Sequence, residues 1–154
     1  QSYVEVKEFA EACMSKYGLL ELGWVFRFSN TSTCLGMCVY SDKAIEFSKW
    51  FMSLPWEEVE ETILHEIAHA LVGPNNGHND VWKAKAIEVG AKPLDKYYGD
   101  HLPVLPYNLV CPACNKHKPI LRKQNKRRYS CNLCSDKFDE RFLLEWVPNP
   151  NYGF

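Results

Sequence analysis

Thr62-Ile63-Leu64-His65-Glu66-Ile67-Ala68-His69-Ala70-Leu71-Val72-Gly73 sets His-Glu-x-x-His inside an apolar helical pattern. Residues four apart share a helix face, so His65 and His69 can point at one metal ion. Glu66 lies about 100° around the helix from His65, so it can reach a water at the metal without occupying the metal. This is the arrangement a zinc peptidase needs, with Glu66 taking the proton of the attacking water and passing it to the leaving amine.

A catalytic zinc takes three protein ligands and leaves a fourth position open. Two residues compete for the third place. His78 lies nine residues past His69, after the Pro74-Asn75-Asn76-Gly77 loop that lets the chain reverse. Glu88 lies nineteen past His69, on the next helix, where it would otherwise be a solvated residue or a partner of a ligand histidine. Spacing alone leaves both open; the loop-to-helix position favours His78. Tyr97, Tyr98 and His101 are candidate donors to a developing oxyanion.

Working outward, Val4 to Tyr17 reads as an amphipathic helix with Phe9, Ala12, Cys13 and Tyr17 near one stripe, stopped at Gly18. Residues 24–28 alternate like a strand, and 35–40 and 44–48 read as two more, joined at Ser41-Asp42-Lys43. Pro55 and the acidic cluster Glu57, Glu58, Glu60 and Glu61 suit the start of the motif helix, which should run to about Gly73. A further helix should span about Asn79 to Val89, ended by Gly90. Trp24, Trp50, Trp56 and Trp82 read as mostly core, with Trp50 and Trp56 able to flank a cleft. Residues 93–109, with three prolines, read as an irregular connector, and 148–154 as a frayed tail.

Cys111-Pro112-Ala113-Cys114 and Cys131-Asn132-Leu133-Cys134 are two C-x-x-C knuckles sixteen residues apart. That spacing reads as a closed, structural four-thiolate zinc site; two disulfides or a redox dithiol fit less well. Cys13, Cys34 and Cys38 read as core thiols. The odd count of seven cysteines argues against a disulfide framework and for a reducing compartment, cytosol or nucleus, with nucleoid or chromatin association open.

The 154 residues carry a net charge of −1, which hides an asymmetry. Residues 1–110 hold 9 Lys and Arg against 15 Asp and Glu, whereas 111–154 hold 9 against 4. Between the knuckles lie Lys116, Lys118, Arg122, Lys123, Lys126, Arg127 and Arg128, followed by Tyr129. Cations that neutralise phosphates beside an aromatic that stacks bases suit single-stranded or irregular nucleic acid; a merely solvated hairpin is the plainer alternative. No apolar run approaches the roughly 18 residues that span a membrane.

His65-Glu66-x-x-His69 with His78, preceded by Cys34-Leu35-Gly36-Met37-Cys38-Val39-Tyr40 on a strand and followed by the Cys111–Cys134 ribbon, resembles the SprT-like metalloprotease family over roughly residues 3–146. The resemblance implies zinc on His65, His69 and His78, with Glu66 as catalytic acid and base. Relatives of the Spartan type are DNA-dependent proteases that degrade proteins crosslinked to DNA and touch single-stranded DNA through a zinc-binding subdomain. The short Pro74–Gly77 loop looks more like compact bacterial or phage members.

The expected fold is therefore α+β: a zincin-like metalloprotease domain over residues 1–109, with a small antiparallel sheet packed on helices, then a zinc ribbon over 110–147 and a tail over 148–154. The expected function is that of a zinc endopeptidase, with one catalytic and one structural Zn2+, acting on protein substrates near DNA. A monomer that does not engage membranes is expected. The alternatives are a nucleic-acid-binding zinc protein with a vestigial protease site and a DNA-independent peptidase.

Overall fold

A computed structural model describes residues 1–94, 104–120 and 128–152. They fall into two compact units, 1–101 and 102–154.

The first unit opens with helix α1, Tyr3–Lys16. Ser2 caps it reciprocally: its hydroxyl accepts from the Glu5 N–H at 3.1 Å, while its own N–H donates to the Glu5 carboxylate at 2.7 Å. The buried stripe is Val6, Ala10 and Met14, with Phe9, Cys13 and Tyr17 packed along its flank. Ala12, expected in that stripe, is exposed, because the stripe is centred one position over. Gly18 turns left-handed at φ 74°, and the Leu19 N–H returns to the Met14 carbonyl, which closes the helix.

Three strands follow: β1 (Val25–Ser29), β2 (Gly36–Val39) and β3 (Ala44–Ser48). Their order is β1-β3-β2, so β3 is central, and four of its five residues are buried. The antiparallel expectation holds for β2 with β3 only. β1 and β3 run parallel, Val25 facing Ala44 and Ser29 facing Ser48, so the sheet is mixed. The tight turn over Tyr40–Lys43 folds β2 and β3 into a hairpin, and β3 then enters beside β1 in the same direction. Residue alternation reports which face is buried, not which neighbour pairs.

Helix α2 (Trp56–Val72) lies on this sheet, burying Val59, Thr62, Ile63, Ile67 and Ala68. Its pattern at 59, 63 and 67 is the apolar stripe that the period demands. Helix α3 (Asp80–Val89) packs on α2 and contributes the fully buried Trp82 and Ala86. Beyond α3, the Lys92 N–H donates to the Glu61 carboxylate at 2.7 Å, which pins the exit from α3 to α2. Among the described residues, no helix is long and apolar enough to cross a membrane.

The second unit is an antiparallel sheet of β4 (Tyr107–Val110), β5 (His117–Ile120) and β6 (Glu145–Pro148), in the order β5-β4-β6. The division expected after residue 109 thus falls inside a strand. The connector's last residues are ordered as β4, and the expected tail contributes to the fold. Pro148 pairs with Tyr107, and buried Asn149 donates its side-chain amide to the Leu105 carbonyl at 2.8 Å. Proline and asparagine in 148–149 read as tail signals, but here they end a strand and satisfy a backbone carbonyl.

Candidate metal centre

Helix α2 presents His65 and His69 on the side away from its apolar stripe and Glu66 between them and the stripe, all half-buried. The helix ends one residue after Leu71-Val72, at Gly73, whose φ of 86° reverses the chain. Two asparagines then shape the loop. The Asn76 side chain donates to the Val72 carbonyl at 2.6 Å, covering an orphan acceptor at the end of α2. Asn79 caps α3 by accepting from the Trp82 N–H at 3.1 Å, and its amide donates to the Asn76 side chain at 3.2 Å. His78 sits between these two anchors and is carried back to α2.

The three Nε2 atoms converge. His65 and His69 are 3.2 Å apart, His69 and His78 3.0 Å, and His78 and His65 3.1 Å. A neutral imidazole nitrogen either donates or accepts, so the triangle cannot be closed by hydrogen bonds alone. Zn–N bonds of about 2.0 Å in tetrahedral geometry place nitrogens about 3.3 Å apart, which this triangle approaches. Burial pushes His65 and His69 down to about 4, with the neighbouring histidines adding to the effect, so both are neutral and available as ligands near pH 7. The competing candidate Glu88 is exposed on α3, its carboxylate 2.6 Å from Lys85 Nζ, and it is not part of the cluster.

Glu66 stands beside the triangle. Burial raises its carboxyl to about 7, against the pull of a hydrogen bond from the Cys38 backbone N–H. The strand register explains that bond. The Ser48 N–H donates to the Leu35 carbonyl, so Met37 and Val39 bond inward to β3, while Gly36 and Cys38 turn their backbone groups to the free edge of β2. Gly36 makes the approach feasible, since a Cβ there would stand 2.7 Å from Thr62 Cγ2 and 3.0 Å from Glu66 Cγ. Tyr40, one residue past β2, donates its hydroxyl to the His69 carbonyl at 3.0 Å. The thiols of Cys34 and Cys38 are half-buried and raised by burial, Cys38 to about 12, so they stay protonated.

The structure adds residues that the motif did not single out: Gly36, Tyr40, Asn76, Asn79 and Trp82. The last had a partial signal, an aromatic in the first turn of the helix that begins just after His78. Tyr97, Tyr98 and His101 lie outside the described residues.

In the second unit, Cys111, Cys114, Cys131 and Cys134 form a second ligand cluster. Cys111 and Cys134 sulfurs are 3.8 Å apart, Cys114 and Cys131 sulfurs 3.6 Å, far beyond a disulfide bond and close to the roughly 3.7 Å that Zn–S bonds of about 2.3 Å produce. The knuckles are set by backbone bonds from the Asn115 N–H to Cys111 and the Ser135 N–H to Cys131. These two clusters are the metal-ligand groups among the described residues. Beside the cysteine cluster, Lys116, His117, Lys118, Ile120, Tyr129 and Asn132 help line a cavity of about 450 Å³. Lys116 Nζ donates to Asn132 at 3.0 Å, and Arg128 pairs with Glu140 at 3.0 Å. Arg122, Lys123, Lys126 and Arg127 lie outside the described residues.

Residues 6–104 match the model of the SprT-like family. No curated protein and no solved structure gives a significant match to the chain.

Proposed function

The chain belongs to the SprT-like family, and from that premise we propose that it is a zinc-dependent endopeptidase acting on proteins held on or crosslinked to DNA. The observation that carries the peptidase reading is the convergence of His65, His69 and His78 with Glu66 beside them. Zinc in that place supplies a Lewis acid and an activated water. Glu66 receives the proton of the attacking water and delivers it to the leaving amine, for which a carboxyl raised toward neutrality is suited. Tyr40 and Gly73 both donate to the His69 carbonyl, which fixes the end of α2 that carries the ligand. Zinc at the four cysteines is structural in this reading, holding the ribbon.

The DNA part rests on Lys116, Lys118 and Tyr129 around one cavity, together with the cation excess of residues 111–154. Crosslink repair is what the family resemblance adds. One observation favours a DNA-independent peptidase instead: Arg128 and Lys116 already have partners in Glu140 and Asn132.

The test is a cleavage assay with and without single-stranded DNA, using the wild type and Glu66→Gln. Zinc content should be equal and cleavage lost in the variant; unchanged proteolysis overturns the mechanism. DNA should bind in a salt-dependent manner and stimulate cleavage. If it does neither, the DNA-independent reading stands.

A further inference from the structure

Trp82 is fully buried and in ring contact with all three histidines. Its ring centroid lies 4.6 Å from His65, 5.1 Å from His69 and 4.6 Å from His78. The contacts differ in kind. His69 is stacked on the indole at 28°, His78 meets it edge to face at 84°, and His65 is tilted at 58°. Trp82 is placed there by the same helix start that delivers His78, because its backbone N–H is the one that Asn79 caps. The indole Nε1 is buried and has no hydrogen-bond partner among the described residues. Burying an indole N–H without a partner is costly, so whatever the ring contributes at this position comes through its faces and edges.

From these contacts we infer that Trp82 is the positioning residue of the metal centre. Its indole is a floor that holds the three imidazoles in their converged arrangement before metal arrives, and it favours their metal-loaded form. The inference rests on the reading of the three histidines as metal ligands. Two physical effects combine. A rigid floor removes rotamers that each ligand would otherwise lose on binding, which raises affinity through preorganisation. Metal binding also puts positive charge onto the imidazoles, and indole is the aromatic ring whose face attracts a cation best. The second effect acts on the loaded state only, which separates positioning from ordinary core packing.

The full chain with Trp82→Phe, Trp82→Leu and Trp82→Met tests this, with zinc affinity read by competition against a chromophoric chelator. The four-cysteine site serves as an internal reference. Melting is followed with and without zinc. Wild type should bind two zinc ions. The ring-less variants should weaken the histidine site by about 10–100-fold, the range for residues that orient metal ligands, and leave the thiolate site unchanged. Phenylalanine should restore most of the loss, to within about threefold, as a smaller aromatic face would. A residue that only fills the core would lower melting equally with and without zinc and leave affinity untouched. Unaltered zinc affinity in either folded ring-less variant, or equal losses for Phe and Leu, overturns the inference; should both ring-less variants fail to fold, a loss of about tenfold or more at the histidine site in Trp82→Phe does the same. A wild type that binds zinc only at the cysteines instead overturns the reading of the histidines, which is a separate failure.

Discussion

Gly36 on β2 lies flush against Glu66 on α2: a Cβ at residue 36 would stand 3.0 Å from Glu66 Cγ and 2.7 Å from Thr62 Cγ2. The constraint is steric. The backbone of Gly36 is ordinary strand, so what the site requires is the missing side chain rather than an unusual φ. Gly36→Ala should push β2 off the helix, costing about 1–3 kcal/mol as overpacking does. It should also lengthen the bond from the Cys38 N–H to Glu66. Melting temperature should fall by several degrees, and kcat should fall while zinc content holds. A stable variant with full activity would show that β2 does not need to sit this close.

His78 and Glu88 make opposite predictions under substitution. His78→Ala removes one of three converging nitrogens and should sharply reduce zinc retained after dialysis. Glu88→Gln breaks an exposed pair with Lys85 three residues away, worth at most a few tenths of a kcal/mol, and should leave zinc and cleavage intact. Metal analysis of the two proteins side by side decides between them.

The site was legible where chemistry and period coincide. His65 and His69 share a helix face by spacing, and the two C-x-x-C knuckles state a four-thiolate site by themselves. His78 against Glu88 was not decidable from spacing, because the deciding fact is the path of residues 73–79. That path is set by Asn76 and Asn79, whose side-chain bonds to Val72 and Trp82 look like ordinary loop polarity in a sequence. Gly36 was equally silent, since its role depends on which helix lies over β2. The parallel pairing of β1 with β3 escaped for a related reason: alternation along a strand records burial and says nothing of its neighbour. Tail-like composition hid the end of β6, because Asn149 is polar yet buried against a backbone carbonyl.

The asparagine clasp yields its own test. Asn79→Ala removes the cap of α3 and should cost about 1 kcal/mol, and Asn76→Ala leaves the Val72 carbonyl without its side-chain partner. Both changes act on the segment that carries His78. Zinc affinity should therefore fall with stability, and Asn79→Ser, which can still cap, should recover both. Loss of stability with zinc affinity unchanged would mean that His78 is held by its ring contacts alone.

Acid should weaken the zinc-stripped protein in a defined window. Burial lowers His65 and His69 from an ordinary 6.5 to about 4. The unfolded chain therefore takes up protons at a higher pH than the folded one. The stability each neutral histidine contributes is complete above about 6.5 and is lost as pH falls toward about 4. Urea midpoints followed by far-ultraviolet circular dichroism, which reports the helices of the first unit, should decline through this range. The decline should be shallower in a His65→Gln, His69→Gln double variant; parallel curves would assign the acid sensitivity elsewhere.

The ribbon should depend on its metal far more than the first unit does. Its buried apolar residues among those described are Leu105, Pro106, Cys111 and Cys131, and two of these four belong to the four-cysteine cluster. Three short strands around so small a core do not offset the entropy of ordering them, so a metal held by the four cysteines would supply the folding energy of this unit. The first unit buries Val6, Met14, Ile45, Phe47, Ile63, Ile67 and Trp82 and has no such need. A strong chelator, or Cys131→Ala, should therefore abolish amide protection in β4, β5 and β6 while α1, α2 and β3 keep theirs. Hydrogen exchange resolved by segment measures both at once. Retained protection in β4 after chelation would mean that the sheet stands on its own hydrogen bonds, and the four cysteines would then need a role other than holding the fold.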